Sequence, residues 1–461
     1  MRKLSHWQSV FGCFSTQKTN CRPFKPLDSH WQRIIILVLV LSLFMPLAGC
    51  YDAREIDDLA YVMAIGLDKG DSGFIKMTLQ IAIPKNISGG GEKGGGGGGE
   101  ASLPTTIETH SLPVGLNVIN TYLSRQLSLS DAKAIVFSEE LAKEGIGQYL
   151  HSIARNREFR PNMYVVVSKT SAEDYIKGVV PKLEANPSKY YELNLTSYKY
   201  NGITPGTTMH NFYFDSESLS IQPVAILASI NKFAPDKEMN LQASTYKEKN
   251  KPYPFMQDFT AGNIPRKSEF GPEIMGSAVF SSDKMVGELD GEETAYYLML
   301  IGRYNYANWS FTDPKHLNSF ISLNIKQNRK PSIKVKLADG KPIIDIKLDL
   351  EADILSIQSG ENYELPGRIG EVESYVSGVI KKDLMLTLNK CTKQFKTDIF
   401  GFGKKAKYLV WTWDQWEKMN WHSIFPYSKF NPEISLKIRR PGLIIRTVVP
   451  NSSQKSGNAS Q

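Results

Sequence analysis

Residues capable of chemistry are few in this 461-residue chain, and their spacing argues against most uses. Gly70-Asp71-Ser72-Gly73 has the form of a serine-nucleophile tetrapeptide, which needs a histidine base to take the hydroxyl proton. The chain order His, Asp, Ser is not available once the leader described below is removed, since the next histidine is His110, and the four residues fall where a hairpin turn is required. Ser88 to Glu100 contains nine glycines in thirteen residues. A phosphate cradle would need Gly-Lys-Ser/Thr opening a helix, whereas Gly99 precedes Glu100, so the run reads as a flexible loop with a reach of about 20 Å. The seven histidines stand at 6, 30, 110, 151, 210, 316 and 422, with no zinc-type pairing, and no cofactor is expected. Trp411, Trp413, Trp416 and Trp421 crowd one segment. Packing against a neighbouring helix is the favoured reading; a partner interface, a membrane interface and sugar stacking are the alternatives.

Cys50 is the exception. Ile34 to Met45 is a run of twelve residues without a charge, behind a leader whose six basic residues face one acid, Asp28. Twelve residues are too few to span a bilayer of about 30 Å and suit the apolar part of a secretory signal. The run leads to Leu47-Ala48-Gly49-Cys50, the form of a bacterial lipobox, in which the cysteine sulfur takes a diacylglyceryl thioether and becomes the new N-terminus. Residues 1–49 are therefore expected to be a lipoprotein signal peptide, with two or three acyl chains on Cys50 as the anchor. Cys13 and Cys21 leave with the leader, so Cys391 remains without an intramolecular partner, on the apolar stripe of a predicted helix where a buried, inert thiol is expected over a reactive one. The formal charge of +8 falls to +3 once the leader is removed, and the remaining basic residues are scattered among acids. No nucleic-acid partner is expected.

The elements around these residues define mixed α/β structure. Ala60 to Gly66 and Phe74 to Ile83 predict a hairpin. Strands at 105–110, 132–137 and 163–167 alternate with helices at 114–127, 140–155 and 172–179, giving an N-terminal mixed sheet with packed helices over 50–205. The stretch 181–205 reads as the way out. In a middle domain, 206–310, two strands (277–280 and 284–289) precede a helix with Asp290 and Glu293 as its capping box. The C-terminal domain, 311–449, has strands at 319–326, 332–337 and 344–351 with period-two alternation, expected as an antiparallel meander. A long amphipathic helix over 367–397 should cover it, Asp398 to Gly403 stops that helix, and 433–439 returns as a strand. Residues 450–461 are polar and expected to be disordered.

Five ordered blocks then carry a resemblance. They are Gly49-Cys50-Tyr51-Asp52-Ala53-Arg54-Glu55-Ile56-Asp57-Asp58-Leu59-Ala60; Ala132 to Ala142; Ala278-Val279-Phe280 through Gly287-Glu288-Leu289; Asp398 to Gly403; and Ile438-Arg439-Arg440-Pro441-Gly442-Leu443-Ile444. The chain resembles the Ger(x)C lipoproteins, the C subunits of nutrient germinant receptors of endospore-forming bacteria, although Tyr51 stands where that family typically has tryptophan. The resemblance implies a three-domain α/β protein on the outer face of the spore inner membrane. It also implies work with transmembrane A and B subunits, no catalysis, and Cys50 as the lipid attachment site. It assigns no ligand-binding residue. The alternative reading is a solute-binding or envelope-associated lipoprotein of a transport system, which calls for two similar α/β lobes that the last third does not suggest. An envelope hydrolase lacks any acid, base or metal constellation.

Overall fold

The computed structural model describes residues 29–44, 55–83, 101–184, 186–231, 255–365 and 367–441. The chain divides between Asp57 and Asp58 into two compact units. In the first, the apolar run as far as Phe44 lies on helix α1 (Ser29–Phe44), whose side chains from His30 to Ser42 are all exposed. No helix among the described residues is long and apolar enough to cross a membrane. Cys50, the Gly-rich run and the polar tail lie outside the described residues.

The second unit holds two sheets. The first has nine strands: β1 (Leu59–Lys69), β2 (Ile75–Ala82), β3 (Ser102–Thr109), β4 (Gln126–Ser128), β5 (Ala134–Ser138), β6 (Tyr164–Ser168), β7 (Val224–Ile230), β8 (Pro272–Ser281) and β9 (Lys284–Leu289). Its main order is β3-β2-β1-β5-β6-β7-β8-β9, with β4 pairing β1. The central strands β1, β5, β6 and β7 run parallel, and both edges are antiparallel. Parallel strands buried on both faces need continuous apolar runs, as in Ala134-Ile135-Val136-Phe137 and Val165-Val166-Val167. Alternate side chains serve opposite faces: Ile135, Phe137, Val165 and Val167 join one core, while Ala134, Val136 and Val166 join another.

Helices flank this sheet: α2 (Leu112–Ile119), α3 (Glu139–Glu144), α4 (Gly147–Arg155), α5 (Ala172–Gly178), α6 (Pro187–Leu195) and α7 (Met209–Ser216). The single helix expected over 140–155 is broken between α3 and α4, where Gly145 takes φ +127°. The break has a tertiary cause. The backbone N–H of Ile146 donates to the Asp283 carbonyl (3.0 Å) and that of Gly147 to Asp283 Oδ2 (3.2 Å), so the β8–β9 turn docks into the gap. The helix expected over 114–127 ends early because Asn120 Oδ1 accepts the Leu127 N–H at 2.9 Å, turning the chain into β4. The stretch 181–205 is not simply an exit: Asn186 caps α6 by accepting the Ser188 N–H, with Pro187 in its first turn.

The stretch 206–310 is shared between the sheets. It supplies β7, β8 and β9 to the first, then α8 (Gly291–Leu300), then most of β10 (Tyr306–Thr312), which opens the second. The second sheet continues with β11 (Phe320–Lys326), β12 (Ser332–Ala338), β13 (Lys341–Ile357) and β14 (Lys429–Arg440). It is not a meander. The seventeen-residue β13 pairs β12 through Lys341 to Lys347 and β11 through Glu351 to Ile357, so β11 and β12 run end to end along one edge. β14 runs parallel along the opposite edge, which makes the sheet mixed rather than antiparallel. A strand longer than either partner can take both in series. As expected, a long helix, α9 (Ile369–Asn389), packs Val372, Val376, Ile380, Leu384 and Leu388 in one core with Ile321, Leu323, Ile344, Ile346 and Leu348 of the sheet. All ten residues of α8 are buried.

Candidate functional site

Motifs with possible catalytic meaning resolve into structure. Asp71 to Gly73 form a turn between β1 and β2, closed by the Gly70 N–H donating to the Phe74 carbonyl. Ser72 is exposed at the hairpin tip with φ 52°, and no side-chain hydrogen bond joins it to a histidine among the described residues. No group of three His, Cys, Asp or Glu converges as metal ligands among those residues. Cys391 is fully buried, and burial pushes its thiol pKa up, away from reactivity.

A cleft of about 630 Å³ lies at the carboxyl ends of β1, β5 and β6, where ligands bind in many open α/β sheets. Each of its four lysines is paired with a carboxylate. Lys69 pairs with Glu144 and Glu140, Lys76 with Glu173 (3.6 Å), Lys143 with Glu139 (2.6 Å) and Lys169 with Glu288 (2.9 Å). Asp68 is spent on structure, accepting the backbone N–H groups of Ala172 (2.7 Å) and Glu173 (2.9 Å) at the start of α5. Burial raises the Asp68 pKa against those two donors. Among the described residues the cleft offers neither an unpaired lysine for an anionic ligand nor a nucleophile with its base.

A dense knot of buried polar chemistry lies where the two sheets are joined. Asp398 follows the π-turn (Lys390–Gln394) that ends α9, and it is completely buried. Its Oδ1 accepts the N–H groups of Phe400 and Gly401, both at 3.0 Å; its Oδ2 accepts Gly403 N–H and Trp421 Nε1–H, both at 2.8 Å. Burial pushes the Asp398 pKa up, and the four donors oppose it by favouring the carboxylate. The Asp398 carbonyl accepts the Gln222 N–H at 2.8 Å, just ahead of β7, which ties this knot to the first sheet.

Two further contacts complete the joint. Lys390 Nζ donates to Glu293 Oε2 at 2.7 Å, and Glu293 also accepts the Asp290 N–H at 3.0 Å, so the capping box of α8 holds the end of α9. Burial alone would lower the Lys390 pKa; the Glu293 carboxylate outweighs it and holds the ammonium above its ordinary value. Gly287 in β9 lets the Phe395 ring approach so closely that a Cβ there would lie 2.2 Å from Phe395 Cε1.

The four tryptophans separate in this region. Trp416 and Trp421 are buried and stacked at 6.5 Å between centroids, and Trp421 belongs to the Asp398 knot. Trp411 and Trp413 are exposed. The packing expected of the cluster therefore describes half of it. The sequence reading missed Asp398 as a hub, because a carboxylate collecting N–H groups from its next five residues looks like any polar residue before two glycines. It also missed Lys390 as the partner of Glu293.

These sheets and this joint define a mixed α/β protein whose elaborated buried chemistry holds its own parts together. Comparison with known proteins gives the particular family. Residues 52–230 match the family described as spore germination protein N-terminal domain, and residues 275–442 match spore germination B3/GerAC like, C-terminal. Spore germination protein KC of Bacillus subtilis (strain 168) is 25% identical over 437 residues, covering 92% of this chain and 98% of that protein. Spore germination protein GerQC of Bacillus cereus is 23% identical over 412 residues, covering 88% and 98%. Among solved structures, the crystal structure of the GerBC protein aligns at 18% identity with a TM-score of 0.49, over 81% of this chain and 96% of that one. The chain belongs to the Ger(x)C family of spore germination proteins.

Proposed function

We propose that this chain is a non-catalytic C subunit of a nutrient germinant receptor, anchored by lipid on Cys50 to the outer face of the spore inner membrane. It works there with transmembrane A and B subunits. The observation that carries the reading is the ordered match of both halves of the chain to the two spore germination domains. The paired charges of the cleft at the carboxyl ends of β1, β5 and β6 favour a role in assembly over one in turnover. Lipidation accounts for a chain that has a twelve-residue apolar run ahead of Gly49-Cys50.

The test is Cys50→Ala in the native gene. Nutrient-triggered germination, followed as loss of optical density of purified spores, is expected to fall severely while spore yield and germination by non-nutrient treatments stay normal. Full nutrient germination, in a strain whose other receptors have been deleted, refutes the anchored-subunit reading. Co-purification of the tagged chain from spore membranes tests assembly: recovery without any multi-span partner refutes that part.

A further inference from the structure

We infer that Tyr408 and Trp411 form a second membrane contact, an aromatic and basic surface that docks on anionic phospholipid headgroups. The inference builds on the lipid anchor at Cys50 proposed above. Trp411 is 98% exposed and Tyr408 85% exposed, the highest values among the described large aromatic side chains of the second unit. Neither ring meets another aromatic ring or a cation among the described residues. Leu409 and Trp413 beside them are also exposed. Isolated apolar residues on a surface need no explanation, but four within six positions do.

The display is built rather than frayed. Gln415 Oε1 accepts the backbone N–H groups of both Trp411 (3.0 Å) and Thr412 (3.3 Å), and the Thr412 hydroxyl accepts the Gln415 N–H in return. This capping box starts the helix Trp413–Met419, whose Trp416 is anchored against Trp421 and so to the Asp398 knot. The fold thus fixes the Trp411 backbone while leaving its indole in water. Trp413 is held differently, donating from Nε1 to Glu417 with the Lys407 ammonium 4.7 Å over its ring.

Charge chooses the occupant. Lys404, Lys405, Lys407 and Lys418 stand in the same segment against Asp414 and Glu417, all six exposed, with Lys404 paired to Asp215 at 3.3 Å. Lys405 and Lys418 have no ion pair among the described residues. Tryptophan and tyrosine prefer the headgroup level of a bilayer, and lysines beside them are drawn to anionic lipid. Cys50 is nine positions from Leu59, where β1 begins, so a lipid there would keep the body within about 30 Å of its attachment, at most 3.3–3.6 Å per residue. Under such a tether a weak interfacial contact becomes an intramolecular one.

The full chain, purified in detergent and reconstituted into phosphatidylglycerol/phosphatidylcholine vesicles with brominated acyl chains, provides the test. Tryptophan quenching by the brominated lipid is expected to drop in Trp411→Phe by about one emitter's share of the five tryptophans left once the leader, with Trp7 and Trp31, is removed. Quenching should also weaken when phosphatidylglycerol is omitted and in Lys405→Glu/Lys407→Glu. Equal quenching of wild type and Trp411→Phe overturns the inference. So does a Trp411 that is shielded only when multi-span partner proteins are reconstituted with it, since the surface would then dock protein. Quenching of Trp411 that ignores vesicle charge overturns the role of the lysines. The intact mass of the same sample reports lipid on Cys50, so loss of the anchor reading is distinguishable from loss of this one.

Discussion

Asp398→Asn is the sharpest test of the joint, because it removes a charge and an acceptor without changing volume. The carboxylate now accepts two N–H groups on each oxygen. The amide keeps one oxygen, so in either orientation its NH2 faces two donors. If the amide oxygen takes the Oδ1 place, Gly403 N–H and Trp421 Nε1–H are orphaned; if it takes the other, Phe400 and Gly401 are. A buried donor without a partner costs about 1–3 kcal/mol, so two give roughly 4 kcal/mol. With a urea slope of about 3 kcal/mol/M, the unfolding midpoint should move down by roughly 1.3 M. Trp421→Phe removes one of the donors, so a cycle of single and double variants should show the double costing about 1–2 kcal/mol less than the sum. The assay is urea unfolding followed by tryptophan fluorescence and, independently, by far-ultraviolet circular dichroism. A change under about 0.5 kcal/mol in Asp398→Asn, or strict additivity in the cycle, would refute the hub assignment.

Three other outcomes are expected. Lys390→Met leaves Glu293 as a mostly buried carboxylate that keeps the Asp290 N–H and loses its cation, and should destabilise by about 3 kcal/mol; adding Glu293→Gln should recover part of it, measured by the same unfolding curves. Gly287→Ala forces the Phe395 ring to move and should cost roughly 1–3 kcal/mol, with Phe395→Leu in the same chain relieving it. Burial pushes the Asp313 carboxyl up, but hydrogen bonds from Ser359, Lys315 N–H, Tyr363 and His316 N–H outweigh it and hold its pKa below the ordinary 3.8. Because the folded pKa is depressed, this stabilisation is present above the unfolded value and disappears as pH falls through the folded one. The unfolding midpoint of Asp313→Asn should therefore fall less steeply than wild type below about pH 4.

What was legible in the sequence followed local periodicity. The β1–β2 hairpin, the β8–β9 hairpin, the Asp290–Glu293 box and the apolar stripe of α9 each depend on residues near one another in the chain, and each formed. The departures have long-range causes. The apolar pattern over 140–155 runs through Gly145, which takes φ +127° and ends the first helix, and the distant Asp283 fills the gap that opens there. The period-two strands over 319–351 are correct as strands, but alternation says which face is buried and nothing about which neighbour lies alongside. The extra length of β13, to Ile357, is what puts β11 and β12 in series.

The tryptophan segment shows why composition alone could not locate the surface. On one helix the four tryptophans would spread around the circumference, and on one strand Trp411, Trp413 and Trp421 would share a face with Trp416 opposite. Instead the chain turns at Asn420, with φ 44°, between Trp413–Met419 and Trp421–Ile424. That turn sends Trp421 toward Asp398 and brings Trp416 over it, which leaves Trp411, ahead of the cap, without room inside. Two of the blocks that carry the family resemblance meet nearby: the one from Ala278 to Leu289, with Gly287 under Phe395 and its end at the α8 cap, and the one that holds Asp398 in its knot. The resemblance therefore falls on residues that hold two sheets in a fixed relation. A rigid relation between sheets gives the chain a defined outer surface to present, and the exposed Trp411 is fastened to that same frame.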